Sequence, residues 1–341
     1  MACYLGLDLG GTNVKAGLLD DTARVLAKIS TPTHAEHGPD AVIEAMIEAG
    51  KTVAAHAGVP LEQIDAVGIG SPGPMDLDAG VIRDMPNLPG WDHVPLRDRI
   101  ATGLGRPTVL ENDANAAAFG EYWAGAGRDP KIRHLVMLTL GTGIGTGIII
   151  DGVLLHGSNS LGAEGGHMIL VPDGRRCGCG QRGCLEAYAS ASNTATRAIE
   201  ALEAGHDGTT SALASLRRAQ AGRLTAKDIF DAAKTGDTLA TEIAEQTANY
   251  LGIACASLCR LFDPQMIVFA GGMILAGDYL FEMIREAFTR HTWKLVKDHV
   301  RIVPAELGND AGFIGAAAVA RDADQRGRLH APLTSRKRLT R

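Results

Sequence analysis

The sequence predicts an α/β protein built as two lobes. Three observations carry that expectation. The chain has 341 residues with 45% apolar content, enough to fill two cores and too much for a disordered chain. Short apolar runs alternate with segments whose apolar residues recur at helical spacing. A pattern of strand, Gly/Thr turn, apolar strand and acidic turn occurs at Asp8–Asp20 and again at Leu140–Asp151, a weak internal duplication that opens each lobe with a hairpin.

In chain order, Tyr4–Asp8 and Val14–Leu19 read as strands around Gly10-Gly11-Thr12, and Arg24–Ile29 continues the meander. Val42, Ile43, Met46, Ile47 and Val53 mark a helix over Pro39–His56. Ile64–Gly70 is a buried strand, and a Pro/Gly-rich loop is expected from Ser71 to Trp91. Pro107–Leu110 is a strand ending at Glu111-Asn112-Asp113, and a helix follows over Ala114–Trp123. The second lobe begins with strands His134–Leu140 and Thr146–Ile150 around Gly141–Gly145. Leu185–Leu261 is mostly helical, Met266–Ala270 is a strand before Gly271-Gly272, and a Gly/Ala-rich helix spans about Ala311–Ala320. The expected domains are therefore 1–113 with the last helix, 114–310, and a basic, solvated tail at 321–341.

Composition narrows the function. The net charge of −6 argues against a dedicated nucleic-acid binder. No basic n-region precedes an apolar stretch at the N-terminus, and the uncharged run Leu135–Ile150 is short and broken by glycines, so a cytoplasmic protein without membrane segments is expected. Glycine occupies 42 positions, mostly in clusters, and clusters of that kind bring backbone close to something. Two apparent motifs fail on context. Gly68-Ile69-Gly70-Ser71-Pro72-Gly73 fits a dinucleotide fingerprint, but Pro72 and Pro74 prevent the helix it requires. Gly50-Lys51-Thr52 lies inside an amphipathic helix, not in a phosphate loop.

The remaining clusters carry chemistry. Gly10-Gly11-Thr12-Asn13 lets backbone N–H groups approach phosphate oxygens, with Asp8 at the strand mouth placed to hold Mg²⁺ through water and Lys15 or Thr12 as a further donor. A tight hairpin without ligand has the same sequence. Gly141-Thr142-Gly143 and Gly271-Gly272 add two more glycine turns, each after a strand, as a nucleotide site would need. Asp113 reads either as the N-cap of its helix or as a general base aimed at a hydroxyl. His167, Cys177, Cys179 and Cys184 form H-x9-C-x-C-x4-C, a closed donor set for structural Zn²⁺. Glu164 and Glu186 flank that knot, and carboxylates held on a rigid metal site suit recognition of sugar hydroxyls. Cys255 and Cys259 fall in an apolar stretch and are expected in the core.

These pieces resemble the ROK family of sugar kinases and repressors. The resemblance rests on Asp8-Leu9-Gly10-Gly11-Thr12, Glu111-Asn112-Asp113-Ala114-Asn115-Ala116, Leu140–Gly145, Glu164-Gly165-Gly166-His167 and Cys177–Glu186, and covers about residues 3–320. It implies an actin-like ATPase fold, with two RNase H-like lobes around a central cleft and the final helix returning to the first lobe. The activity implied is ATP-dependent phosphorylation of a hexose, closest to the glucokinases of the family and giving glucose 6-phosphate. Other hexoses or N-acetylhexosamines are the alternatives. By that resemblance Asp113 takes the proton of the 6-hydroxyl, while Asn87, Asn112, Glu164, His167 and Glu186 hold other hydroxyls. Ser71, Pro72 and Gly73 line the sugar pocket, and Gly10, Gly11, Thr12, Gly141, Thr142 and Gly272 meet ATP·Mg²⁺. A homodimer is also implied. A repressor would carry a helix-turn-helix ahead of the core, for which the first strand at residue 4 leaves no room.

Overall fold

The computed structural model describes residues 2–85, 90–205 and 211–329. The chain divides into two compact units. The first takes residues up to Pro130, Leu154–Ala163 and the chain from Glu306 onward; the second takes Lys131–Val153 and Glu164–Ala305.

The first unit contains, in order, β1 (Cys3–Leu9), β2 (Asn13–Asp20), β3 (Val25–Pro32), α1 (Gly38–Ala57), β4 (Ala66–Ser71), β5 (Met75–Asp76), β6 (Val81–Asp84), β7 (Asp92–Val94), α2 (Leu96–Leu104), β8 (Thr108–Asn112) and α3 (Asp113–Ala124). The main sheet runs β3-β2-β1-β4-β8. Its first three strands are an antiparallel meander, and β1, β4 and β8 are parallel. β1 is buried on both faces, which explains its nearly continuous apolar sequence. Leu5, Leu7 and Leu9 pack with Val42, Ile43, Met46 and Val53 of α1. On the other face Tyr4 packs with Leu19, Ala66 and Phe313.

That second face is covered by the C-terminal helix, Ala311–Gln325. It lies so close that a Cβ at Gly6 would sit 1.8 Å from the Phe313 carbonyl oxygen, and one at Gly68 would sit 1.8 Å from that of Ala316. Gly68 of the apparent dinucleotide fingerprint therefore serves helix–sheet packing. The C-terminal helix also meets α3 through small residues, and a Cβ at Gly315 would lie 1.8 Å from the Ala116 carbonyl oxygen.

The second unit contains β9 (Leu135–Leu140), β10 (Ile144–Ile150), β11 (Val153–Leu154), α4 (Glu186–Ala189), α5 (Ala191–Glu203), α6 (Ala212–Ala219), α7 (Ala226–Lys234), α8 (Thr238–Phe262), β12 (Met266–Ala270), α9 (Asp278–His291) and β13 (Arg301–Pro304). Its sheet runs β11-β10-β9-β12-β13, with β9, β12 and β13 parallel. Both units thus share one sheet order, an antiparallel hairpin followed by parallel strands, as the repeated hairpin pattern predicts. Cys255 and Cys259 are buried in α8.

Three expectations are corrected. The first unit extends through α3 to Pro130 instead of ending at 113, because α3 packs on the C-terminal helix. The loop expected over 71–91 contributes β5 and β6 to a small antiparallel sheet with β7, whose strands are too short to show a period. The C-terminal helix runs to Gln325, past the expected start of the tail at 321, and Asp322 pairs with Arg326 and Arg328 beyond it. Residues 330–341, where most of the expected tail falls, lie outside the described residues, as does Asn87. Among the described residues no helix is long and apolar enough to cross a membrane.

Candidate active site

In the first unit the chemistry gathers at the C-terminal ends of the parallel strands. Register pairs Asp8 of β1 with Gly70 of β4, and Ser71 of β4 with Asn112 of β8. Asp8, Ser71 and the Asn112-Asp113 pair therefore stand at adjacent strand ends, where open α/β sheets bind ligands. Ser71 is fully buried, and its Oγ donates to the Pro72 carbonyl at 3.1 Å.

The strand-to-helix turn at β8 separates capping from chemistry. Asn112, with an extended backbone, is the N-cap: its Oδ1 accepts from the N–H groups of Ala114 at 3.0 Å and Asn115 at 3.2 Å. Asp113 is thereby the first helical residue, not the cap. Its Oδ1 accepts from Ala114 N–H at 2.8 Å, and the side chain remains in contact with solvent. Surrounding protein nevertheless desolvates it enough to raise its carboxyl above the ordinary range. Asp8 is half-buried, and desolvation pushes its carboxyl up to about 6; the negative charge of Asp113 adds to that shift and Lys15 opposes it. A Cβ on Gly312 would lie 2.3 Å from Asp8 Oδ2, so Asp8 rests against the first turn of the C-terminal helix.

The first glycine hairpin is held by a residue that local sequence did not point to. Thr33, fully buried just after β3, donates its N–H to the Thr12 carbonyl at 2.9 Å and its hydroxyl to the Gly10 carbonyl at 2.7 Å. With these acceptors engaged, the turn keeps an open outer surface: nothing lies within 4 Å of a Cβ placed on Gly11, and Gly11, Thr12 and Asn13 are exposed. Lys15 Nζ is tied to the Asn309 carbonyl at 2.8 Å.

In the second unit, the glycine turns and the sugar-site candidates meet around Ile144. Gly141 N–H closes the hairpin onto the Gly143 carbonyl at 3.1 Å. Ile144 N–H donates to Glu186 Oε2 at 2.9 Å, and a Cβ on Gly143 would lie 2.3 Å from the same oxygen. The turn carrying Glu164 and His167 packs on the other side of this residue, where a Cβ on Gly166 would lie 2.0 Å from the Ile144 carbonyl oxygen. Glu164 itself is exposed. Gly271, with φ of 90°, packs on the end of β9, 2.5 Å from the Leu140 carbonyl oxygen if it carried a Cβ. Gly272 beside it faces open space. The second and third glycine clusters are thus adjacent.

His167, Cys177, Cys179 and Cys184 converge, with their ligand atoms all within 4.8 Å of one another. Cys177 Sγ lies 3.6 Å from His167 Nδ1, and Cys179 Sγ lies 3.7 Å from Cys184 Sγ. A tetrahedral zinc with Zn–S of about 2.3 Å places its sulfurs about 3.8 Å apart, so the donor set fits that ion. Every cysteine is free. Glu186 links this knot to the glycine hairpin, since its Oε1 accepts from Cys177 Sγ at 3.4 Å.

The chain is 39% identical over 318 residues to a glucokinase from Thermotoga maritima, covering 93% of this chain and 97% of that enzyme. The ROK hexokinase of Thermus thermophilus superposes with a TM-score of 0.81 at 37% identity, covering 95% of this chain and all of that one. A ROK family glucokinase from Streptomyces griseus, solved with glucose and AMPPNP, gives 0.75 at 34% identity over 94% of this chain and 100% of its own. The fold is the actin-like ATPase fold of these sugar kinases. With the ROK family model matching residues 4–323, the chain belongs to the ROK family.

Proposed function

We propose that this protein phosphorylates glucose at the 6-hydroxyl with ATP, Asp113 acting as general base. The observation that carries the reading is the turn at β8. Asn112 takes over the capping of α3, so the Asp113 carboxylate, held at Oδ1 by Ala114 N–H, is proposed to accept a substrate proton at a strand end shared with Asp8 and Ser71. Desolvation raises the basicity of Asp113, which suits a proton acceptor near neutral pH.

Phosphoryl transfer asks the protein for positioning and charge stabilisation more than for covalent chemistry. Gly10, Gly11, Thr12 and Asn13 offer an open turn to phosphate oxygens, as do Gly141, Thr142 and Gly143 with Gly271 and Gly272 beside them. Asp8 would hold the Mg²⁺ that accompanies ATP and supplies charge neutralisation to the phosphates. The groups proposed for the remaining sugar hydroxyls are Asn112, beside Ser71, Pro72 and Gly73, in the first unit and Glu164, Glu186 and His167 in the second. His167 divides its ring between two tasks: Nδ1 faces the thiols, which leaves Nε2 for a hydroxyl. Structural zinc in the knot would fix that ring. The protein is read as a cytoplasmic homodimer that acts on small molecules.

The test is a coupled assay across glucose, other hexoses and N-acetylhexosamines with ATP, GTP and polyphosphate. Glucose with ATP should give the highest kcat/KM. A higher value for an N-acetylhexosamine, or for polyphosphate, would overturn the assignment.

A further inference from the structure

We propose that His156 and Glu111 form a charged positioning pair that sets the placement of Asn112 and Asp113, so that glucose use depends on a protonated His156. The inference rests on the reading of Asn112 and Asp113 as sugar ligand and base, and adds two residues that touch no substrate.

Glu111 is only 2% exposed. Each carboxylate oxygen has its own task. Oε1 accepts from the backbone N–H of Asn112 at 2.9 Å and from Asn115 Nδ2 at 3.0 Å, so it fixes the peptide that opens the turn and a residue of the first turn of α3. Oε2 lies 2.8 Å from His156 Nε2. A carboxylate only accepts, so Nε2 carries the hydrogen in this contact. His156 sits in the excursion Leu154–Ala163, which belongs to the first unit.

A buried carboxylate without a cationic partner is costly, and amide donors only partly offset its charge. Of the contacts to Glu111 just described, His156 is the one able to carry positive charge. Among the described residues, Asp78 favours protonation of the imidazole and Arg328 opposes it. Glu111 outweighs the desolvation of the ring, so the imidazole holds its proton above the ordinary histidine range. Loss of that proton leaves Glu111 uncompensated beside the turn that presents Asp113. A misplacement of about 1 Å in a positioned catalytic group costs on the order of 100-fold in rate.

The experiment compares wild type, His156→Gln, His156→Ala and Glu111→Gln, with Asp113→Asn as the reference for the underlying reading. Steady-state kinetics are taken against glucose and ATP from pH 6 to 9.5, with melting temperatures for each variant. The wild type should lose kcat/KM for glucose on the alkaline side. His156→Gln, which keeps a neutral donor, should abolish that limb, lower kcat/KM for glucose by about tenfold at pH 7 and leave the KM for ATP within about twofold. His156→Ala and Glu111→Gln should lose more. An alkaline limb that survives His156→Gln overturns the proposal. So does a loss that falls equally on glucose and ATP and follows the melting temperature, since that marks a purely structural role. If Asp113→Asn is fully active, the general-base reading fails on its own; if Asp113→Asn is inactive and the His156 variants match wild type, only the present proposal fails.

Discussion

Removing the negative charge of Asp8 should stabilise the fold and destroy activity at once. Its carboxyl is pushed from an ordinary 3.8 to about 6, chiefly by desolvation. A carboxyl raised in the folded state binds its proton there more tightly than in the unfolded chain. It therefore costs stability progressively as pH rises through the window from about 4 to about 6, and the full cost remains above it. The shift corresponds to at most about 3 kcal/mol. Partial solvent access reduces the expected gain for Asp8→Asn to about 1–2 kcal/mol at pH 7.5. Urea unfolding at pH 7.5 and at pH 4 measures it: the variant should be the more stable at the higher pH, with the gap closing at the lower one. In the same samples kcat should fall by at least about 100-fold, because the group placed to hold Mg²⁺ is gone. A variant no more stable than wild type at pH 7.5, or a gap that persists in acid, would refute the electrostatic argument. Wild-type turnover would refute the metal role.

Asp113→Asn should leave glucose affinity within a few-fold and reduce kcat by about 10²–10⁴, measured by titration and by the coupled assay. The pH profile of kcat/KM should show an acid limb, since the raised carboxyls of Asp8 and Asp113 must be ionised; activity unchanged down to pH 4.5 would contradict it. Metal analysis of purified protein should find one zinc per chain, and Cys184→Ser should lose it together with much of the activity. Less than one equivalent in active wild type would exclude the structural ion. Gly68→Ala forces a Cβ against the Ala316 carbonyl and should cost about 3 kcal/mol in urea unfolding, whereas Gly11→Ala, in open space, should leave stability nearly unchanged.

Much of the candidate site is legible in the sequence because its signals are local. An apolar strand that ends in Asp8 and runs into Gly10-Gly11-Thr12 can be read within a few residues, and the same holds for the spacing of His167 and the cysteines. Asn112 and Asp113 show where such reading stops. Both residue types cap helices, and only the backbone shows that Asn112 does so here. Thr33 escaped because its role is nonlocal: it closes onto a hairpin more than twenty residues earlier, and an isolated threonine carries no sign of that. Glu186 was read as a sugar ligand alone, and the structure adds its hydrogen bond to Ile144, which joins hairpin and cysteine knot. The glycine excess had two origins that composition merges. Some glycines, such as Gly11 and Gly272, leave the outer face of a turn open, while Gly6, Gly68 and Gly315 let a helix lie on its neighbours. The strands over 75–94 are too short to impose a period.

The close seat of the C-terminal helix has a consequence for biosynthesis. The sheet it covers begins at Cys3, yet its cover comes from Ala311–Gln325, which leaves the ribosome after every strand of that sheet. Until then Tyr4, Leu19 and Ala66 lack their partner Phe313. The strands of the second unit's sheet, from Leu135 to Pro304, are all complete earlier. The unit that starts first therefore finishes last, and a nascent chain stopped short of residue 311 presents an apolar sheet face with its glycine gaps unfilled, a surface prone to aggregation.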